Sequence, residues 1–235
     1  MTGFQISWVL FALAHCGCSG ALNGATVERH PPPGPKAELA ARSTRNWSFD
    51  EGQLGQLPSD FLSVVGQWQL SNDESGLSGS PVLVQSAGSA EAVFNLVLAK
   101  GTSYRDVDLS VRLRSVAGRI DQGGGLVWRA RDAGNYYIAR YNPLEDNLRL
   151  YTVVDGRRQM IESATVRIDH DAWHTLRIAM RGDQIECFLD GTKYLDRQDG
   201  TFSDAGQIGL WTKADAQTHF DDLSVREAAP SSERP

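Results

Sequence analysis

Residues 121–156 read DQGGGLVWRARDAGNYYIARYNPLEDNLRLYTVVDG, and this stretch decides how the fold of the whole chain is interpreted. Three runs within it are rich in Val, Ile, Tyr and Trp, which are residue types that favour β-strands. The segments between the runs, RDAGN and NPLED, contain the Gly, Asn, Asp and Pro residues that turns require. We therefore predict three consecutive antiparallel strands, at residues 125–129, 135–141 and 147–154.

The strand pattern continues on both sides of this stretch. Residues 107–113 and 174–180 alternate apolar and polar side chains, which is the period of a half-buried strand. An Asp-Gly pair at residues 190–191 joins the strands before and after it in a hairpin. Further short strands are predicted at residues 46–50, 67–70, 82–85, 92–99, 159–162, 207–213 and 219–226. No stretch of ten residues has helical periodicity, so the sequence predicts an all-β domain, a jelly-roll sandwich of two antiparallel sheets.

The composition fits one large globular domain. The chain has 235 residues, of which 41% are hydrophobic and 22% are charged, and these are ordinary values for a protein with a sizeable core. The net charge is −6, and the basic residues are scattered along the chain. Nucleic-acid-binding proteins need a clustered basic surface, so we predict no nucleic acid partner.

The first 22 residues have the pattern of an export signal. Residues 6–14, ISWVLFALA, are apolar but too short to cross a bilayer, and small residues follow them. Two processing routes fit the sequence: cleavage after Ala21, or lipid attachment at Cys16 or Cys18. We predict a periplasmic or secreted protein without a transmembrane domain, and a lipid anchor remains one of the two alternatives.

A Pro-rich segment follows the signal. Residues 30–35, HPPPGP, favour extended polyproline geometry and are typical of a linker. We predict a signal peptide or lipoprotein signal at 1–22, a Pro-rich linker at 23–45, a jelly-roll domain at 46–227 and a tail at 228–235.

Several pieces of the sequence are similar to a known superfamily. They are GGGLVWRARDAGNYYIARYNP, NLRLYTVVDG, WHTLRI, ECFLDGTKYL and GQIGLWTKADAQTHFDDLSV, and the likeness runs from Trp47 to Val225. Together they resemble the concanavalin-A-like lectin/glucanase superfamily, in its laminin-G-like branch. Within it they are most similar to the 3-keto-disaccharide hydrolase domain family and related exported bacterial proteins. The resemblance implies a concanavalin-A-like jelly roll.

The resemblance leaves three functions open, because this fold carries lectins, glycosidases and adhesion modules alike. The chain has neither the Glu-x-Asp-x-x-Glu strand of glucanases nor the Glu-x-Gln strand common in the 3-keto-disaccharide group. We therefore expect an exported carbohydrate-binding domain whose partner is a glycan or disaccharide. The alternatives are a glycoside hydrolase of the 3-keto-disaccharide hydrolase kind and a structural adhesion module with a protein partner.

Strand alternation selects the candidate binding residues. Leu148 and Leu150 fit the core, so Arg149 and Tyr151 are predicted to point outward. The same reasoning makes Trp211 an exposed residue. Aromatic rings beside arginine donor forks suit sugar hydroxyls and carboxylates. The predicted binding residues are Arg129, Arg140, Arg149, Tyr151, Trp211 and Lys213. Alternatively, the arginines form ion pairs on an ordinary outer face.

Catalysis would require carboxylates. Glu145 and Asp146 lie in a predicted turn beside the arginine-rich strands, and they are the candidate catalytic residues. Asp106 and Asp108 have the spacing of a glycosidase pair on one strand face, but they lie among arginines, and we interpret them as a solvated surface.

The resemblance also implies a candidate metal site, because concanavalin-A-like folds often hold Ca²⁺ where the first and last strands meet. Asp50 in the predicted first strand and Asp221 or Asp222 in the last would supply carboxylate oxygens, the ligands that Ca²⁺ prefers. Alternatively, these carboxylates are solvated turn residues. No other cofactor is assigned.

Overall fold

The computed structural model describes residues 44–73 and 81–228. The predicted signal, the predicted linker as far as residue 43 and the predicted tail from residue 229 lie outside these ranges. Within them, no helix has the length and apolar character needed to cross a membrane.

The described residues form an all-β sandwich of two antiparallel sheets, as predicted. The eight-stranded sheet has the order β13-β12-β11-β6-β15-β4-β3, with β1 paired to β15. The seven-stranded sheet has the order β10-β9-β8-β7-β14-β5-β2. The strands are β1 (Arg45–Trp47), β2 (Phe61–Val65), β3 (Trp68–Asn72), β4 (Pro81–Gln85), β5 (Phe94–Ala99), β6 (Val107–Ala117), β7 (Gly124–Asp132), β8 (Asn135–Asn142), β9 (Asn147–Val154), β10 (Arg157–Thr165), β11 (Trp173–Arg181), β12 (Gln184–Leu189), β13 (Thr192–Gln198), β14 (Gln207–Lys213) and β15 (Gln217–Glu227).

The main core lies between the two sheets and follows from the alternation in the sequence. Leu109 and Val111 of β6 meet Leu148 and Leu150 of β9 in one buried cluster. Because side chains on a strand point alternately to its two faces, the residues between them lie on the outer surfaces of the sandwich. Arg149 and Tyr151 therefore lie on the outer face, as alternation predicts, but Tyr151 is only 4% exposed and is not open to solvent there.

Most predicted strands are present with bounds shifted by a few residues, as for β10, which extends over Arg157–Thr165 where 159–162 was predicted, and two places differ in other ways. The first strand is Arg45–Trp47, so it begins one residue earlier and ends three residues earlier than the predicted 46–50. Phe61–Val65 was not predicted, because it is only five residues long and directly follows a turn. It pairs with β5 at the edge of the seven-stranded sheet. This pairing, and not a pattern in its own sequence, shows that it is a strand.

The outer face of the seven-stranded sheet, on the side opposite the core, carries a second apolar cluster. Its buried members are Leu96, Leu98, Val127, Ala130, Tyr136, Ile138, Val153 and Trp211. Gly125 lies between Arg140 and Trp211 in the strand register. A Cβ there would lie 1.9 Å from the Ala139 carbonyl oxygen, so only glycine allows the strands to approach this closely.

Candidate functional site

A set of polar side chains, here called the polar cluster, lies on the outer face next to this apolar cluster. It consists of Arg140, Glu145, Asn147, Arg149 and Tyr151. Arg140 on β8 is the direct cross-strand partner of Arg149 on β9, and Tyr151 lies two residues further on the same face. Glu145 is in the short turn that joins these strands. The tight hairpin therefore brings together four of the residues that the sequence singled out.

Glu145 is the centre of the polar cluster. Its Oε2 accepts hydrogen bonds from Arg140 Nη2 at 3.0 Å, Arg149 Nη1 at 2.9 Å and Asn147 Nδ2 at 3.0 Å. Partial burial raises the pKa of Glu145, but the hydrogen bonds of Asn147 and Arg140 and the charges of both arginines outweigh it and hold the pKa at about 2. Glu145 is thus a permanent anion at neutral pH and a fixed hydrogen-bond acceptor.

We expect the ionisation of Glu145 to report on this arrangement. Its pKa lies below the ordinary value of 4.5, so its contribution to folding is complete above pH 4.5 and is lost as the pH falls toward 2. An NMR titration of the Glu145 carboxyl should give a midpoint near 2, and Arg149→Ala should raise that midpoint. A wild-type midpoint near 4.5 would contradict the described hydrogen bonds.

A second polar group borders the polar cluster. Lys213 Nζ lies 3.4 Å from Asp121 Oδ2, and Asn142 Nδ2 donates to Asp121 Oδ1 at 3.0 Å. Burial raises the pKa of Asp121, and the charges of Arg140 and Lys213 oppose that rise. Lys213 is therefore on the predicted face and partly exposed, with its charge held beside a buried carboxylate.

The predicted exposure of Trp211 is wrong. Trp211 is on the outer face but only 1% exposed, because its ring packs 5.4 Å from the ring of Phe94 on the neighbouring strand β5. Burial raises the pKa of Tyr136 to about 12, and the neighbouring Trp211 N–H opposes the rise. Even so, the Trp211 Nε1 forms no hydrogen bond of normal geometry. The Trp211 ring is thus packed among the other side chains of the outer face and is not accessible to solvent.

Arg158 on β10 belongs to this face and was missed by sequence reasoning. Its guanidinium carbon lies 4.4 Å from the Tyr151 ring centroid, 5.4 Å from that of Phe94 and 5.7 Å from that of Trp211. The Asp155-Gly156 pair marks a hairpin turn in the sequence, and this turn could have located Arg158. The pairing of Arg157 with Val154 across that turn places Arg158 opposite Val153, on the same face as Tyr151.

An open pocket of about 450 Å³, here called the Arg158 pocket, lies at this position. Its lining residues are Glu91, Ala92, Phe94, Arg158 and Lys213. The pocket combines an aromatic ring, two cations and a carboxylate, which is the mixture of apolar and polar groups that small-ligand sites present.

Arg129 does not join the binding face as predicted. Its three guanidinium nitrogens donate to the backbone carbonyls of Arg105, Phe202 and Gly182 at 2.5–2.8 Å, and the residue is 1% exposed. The strand register shifts after Trp128, and Arg129 has a φ of 48°, so simple alternation fails at this bulge. Arg129 is a structural clamp between three chain segments.

The carboxylates considered for catalysis have structural partners. Asp146 accepts from the backbone N–H of Ile168, and Glu145 is fixed by its arginines as described above. Asp108, predicted to be solvated, is instead buried and bound by Arg177 and Arg226. Burial raises its pKa, but these two arginines outweigh burial and lower it. A carboxylate held at low pKa is a weak general base and a poor proton donor, so Glu145 is poorly suited to the general-acid role of a glycosidase.

The expected calcium site receives no support from the described residues. Burial, with smaller contributions from the charges of Asp222 and Asp50, raises the pKa of Asp221 to about 6. Asp222, however, forms an ion pair with Arg112 at 3.2 Å. In residues 44–73 and 81–228, no three or more His, Cys, Asp or Glu side chains form a group that could hold a metal ion.

Residues 106–228, just over half of the chain, match the family model of the galactocerebrosidase C-terminal lectin domain. The chain belongs to this lectin-domain family. The matched region contains the three central strands, the polar cluster and two pocket residues, Arg158 and Lys213. The predicted resemblance is therefore confirmed as far as a lectin-like jelly-roll superfamily, while the laminin-G-like branch and the 3-keto-disaccharide hydrolase family stay predictions. No curated protein matches the sequence significantly.

Solved structures share the fold of this lectin-domain chain. The carbohydrate-binding module CBM66 from Bacillus subtilis has a TM-score of 0.61 at 22% identity, covering 72% of this chain and 96% of that one. A Bacillus subtilis protein with a galectin-like fold has a TM-score of 0.57 at 12% identity, covering 79% and 96%. A glycosidic hydrolase has a TM-score of 0.54 at 11% identity, covering 81% and 99%. At these identities the likeness establishes the fold alone.

Proposed function

We propose that this protein is a carbohydrate-binding domain and that it binds its ligand on the outer face of the seven-stranded sheet. The observation that carries the proposal is the hairpin of β8 and β9, which places Glu145 and Arg149 at the surface beside Tyr151. A fixed carboxylate acceptor next to a guanidinium donor matches the paired donors and acceptors of vicinal sugar hydroxyls.

The surroundings of the polar cluster support this role. Phe94 and Arg158 are partly exposed and supply flat surfaces for the C–H face of a sugar ring, while Tyr151, only 4% exposed, supports Arg158 from the side of the sheet. The cluster is held rigidly by cross-strand pairing and by the three hydrogen bonds to Glu145, which reduces the entropy lost when a ligand binds. Membership of a lectin-domain family and the fold shared with a carbohydrate-binding module agree with the proposal.

A glycan array followed by calorimetry tests the proposal. The full chain should bind at least one class of glycan, and Arg149→Ala should weaken that binding about tenfold or more, because a hydrogen bond to a charged group is worth about 1.5–3 kcal/mol. Arg181→Ala is the matched control: Arg181 is a partly exposed arginine on the eight-stranded sheet, and its loss should leave affinity unchanged. Equal weakening by both variants would place the site elsewhere.

The other hypotheses have less support. Hydrolysis of the 3-keto-disaccharide kind stays a prediction of the sequence resemblance, and Glu145 and Asp146 remain its candidate residues. An adhesion role with a protein partner stays a prediction on the same basis. The low pKa of Glu145 disfavours it as a proton donor in hydrolysis, and membership of a lectin-domain family supports a carbohydrate ligand over a protein partner.

We also propose that the chain is exported, on the evidence of its N-terminal sequence, which lies outside the described residues. The mature protein is expected to begin between Cys16 and Asn23, with or without an attached lipid. Mass spectrometry of the secreted and membrane fractions measures this directly. An intact Met1 on a cytoplasmic protein would contradict it.

A further inference from the structure

Arg158 carries a charge that has no ion-pair partner among the described residues. Its Nη1 is buried and has no hydrogen-bond partner. Asp121 and Glu145 act on its guanidinium only as charges beyond ion-pair distance. Burial lowers the pKa of Arg158, and this effect outweighs the opposing influence of Tyr151 and of the two carboxylates. Desolvating an ion without a partner is unfavourable, so this residue is poorly explained by folding alone.

The aromatic rings around Arg158 determine which part of it a ligand can reach. The guanidinium stacks most closely on Tyr151, at 4.4 Å from the ring centroid. Nη1 is buried at this position, whereas Nε and Nη2 are not among the buried unpaired atoms, so they form the edge of the group that a ligand can reach. Those donors form a planar fork whose geometry matches the two oxygens of a carboxylate.

Lys213 adds a second cation to the same pocket. It pairs across strands with Phe94, and the Arg158 guanidinium carbon lies 5.4 Å from the Phe94 ring centroid. Both cations therefore border one aromatic ring in the Arg158 pocket. Lys213 already has Asp121 beside it, whereas Arg158 has no such partner among the described residues, so an incoming anion would satisfy Arg158 first.

We propose that the ligand of this protein is an acidic saccharide whose carboxylate binds in the Arg158 pocket, against Arg158 and Lys213. This inference rests on the proposed carbohydrate binding and specifies its ligand class. Phe94 and Ala92 supply an apolar wall for the sugar ring, and the carboxylate of Glu91 accepts hydrogen bonds from hydroxyls at the rim. The protein as a whole has a net charge of −6, so attraction of an acid depends on these local cations.

Calorimetry with charge-matched ligands tests the inference. The probes are an oligogalacturonate, its methyl ester, and a sulfated galactan oligosaccharide of similar length, together with the acidic and neutral glycans of the array. The acid should bind about tenfold or more tightly than its ester, as expected for a charge-assisted hydrogen bond. The sulfated probe distinguishes a carboxylate site from a site for any anion.

Arg158→Leu should remove the preference for the acid over the ester while neutral binding remains. Its melting temperature should change little, because removal of an unpaired charge offsets the loss of the contacts with three aromatic rings. Arg158→Lys keeps the charge without the planar fork and should keep only part of the preference. Arg157→Leu alters the neighbouring exposed arginine on the opposite side of the strand, and it should behave as wild type.

Each alternative result is informative. Equal affinity for acid and ester, or a preference that survives Arg158→Leu, overturns the acidic ligand while carbohydrate binding stands. Tighter binding of the sulfated probe than of the uronate overturns the carboxylate assignment. A fall in melting temperature for Arg158→Leu with the preference intact identifies Arg158 as a structural cover. Absence of binding to every glycan overturns both this inference and the proposed function.

Discussion

Replacing Arg129 with methionine is expected to destabilise the protein by about 3–5 kcal/mol, the usual cost of removing one member of a buried charged network. The guanidinium of Arg129 donates to three backbone carbonyls, those of Arg105, Gly182 and Phe202. Methionine fills similar space but removes these three hydrogen bonds. Equilibrium unfolding in urea measures the effect.

A neighbouring arginine provides the control for this experiment. Arg131 lies on the same strand and pairs with Asp204 at 3.0 Å, but its side chain is 45% exposed. Exposed ion pairs contribute little, so Arg131→Met should cost less than about 1 kcal/mol. Similar losses for the two variants would contradict the clamp assigned to Arg129, and a specific loss of glycan binding by Arg129→Met with full stability would return it to the binding face.

Trp211→Ala is expected to cost about 3–5 kcal/mol, since large-to-small changes at buried aromatic positions leave a cavity. The ring of Trp211 is 1% exposed and belongs to the apolar cluster on the outer face. The substitution would also remove one of the rings around Arg158, so glycan affinity should fall together with the free energy of unfolding.

Two variants separate these effects. Trp211→Phe keeps most of the packing and should retain most of the stability. Tyr194→Ala removes an aromatic ring that is 39% exposed on β13, and its cost should be small because little area is buried. If Trp211→Ala instead keeps the wild-type stability and abolishes binding, the ring is a solvent-facing platform and the described burial is wrong.

The two-residue period of the strands explains why so much of the fold could be predicted. Leu148 and Leu150 could only fit the core, and alternation therefore assigns Arg149 and Tyr151 to the outer face. Alternation predicts on which side of a sheet a side chain lies, but it does not predict whether other side chains bury it there. The burial of Trp211 depends on Phe94, which is more than a hundred residues away in sequence, and on Arg158 at the sheet edge.

The misplacement of Arg129 and the omission of Arg158 have different physical causes. A bulge with a positive φ turns Arg129 away from the face that alternation assigns to it, and the sequence at this position is Arg, not the Gly that usually marks such geometry. Arg158 could have been found, because its position follows from the register of the turn at residues 155–156. Its value as a ligand group rests on the absence of a partner carboxylate among the described residues, and only the structure reveals that.

The central claim, that carbohydrate binds on the outer face of the seven-stranded sheet, is tested most directly by NMR of the tryptophan indole N–H groups. The full chain would be titrated with the tightest ligand from the glycan array. We predict that the Trp211 indole signal shifts, because this ring lies against Arg158 and Phe94, while the signal of Trp173 on the eight-stranded sheet remains in place. A shift of Trp173 with an unchanged Trp211 would put the ligand on the opposite sheet and contradict the account.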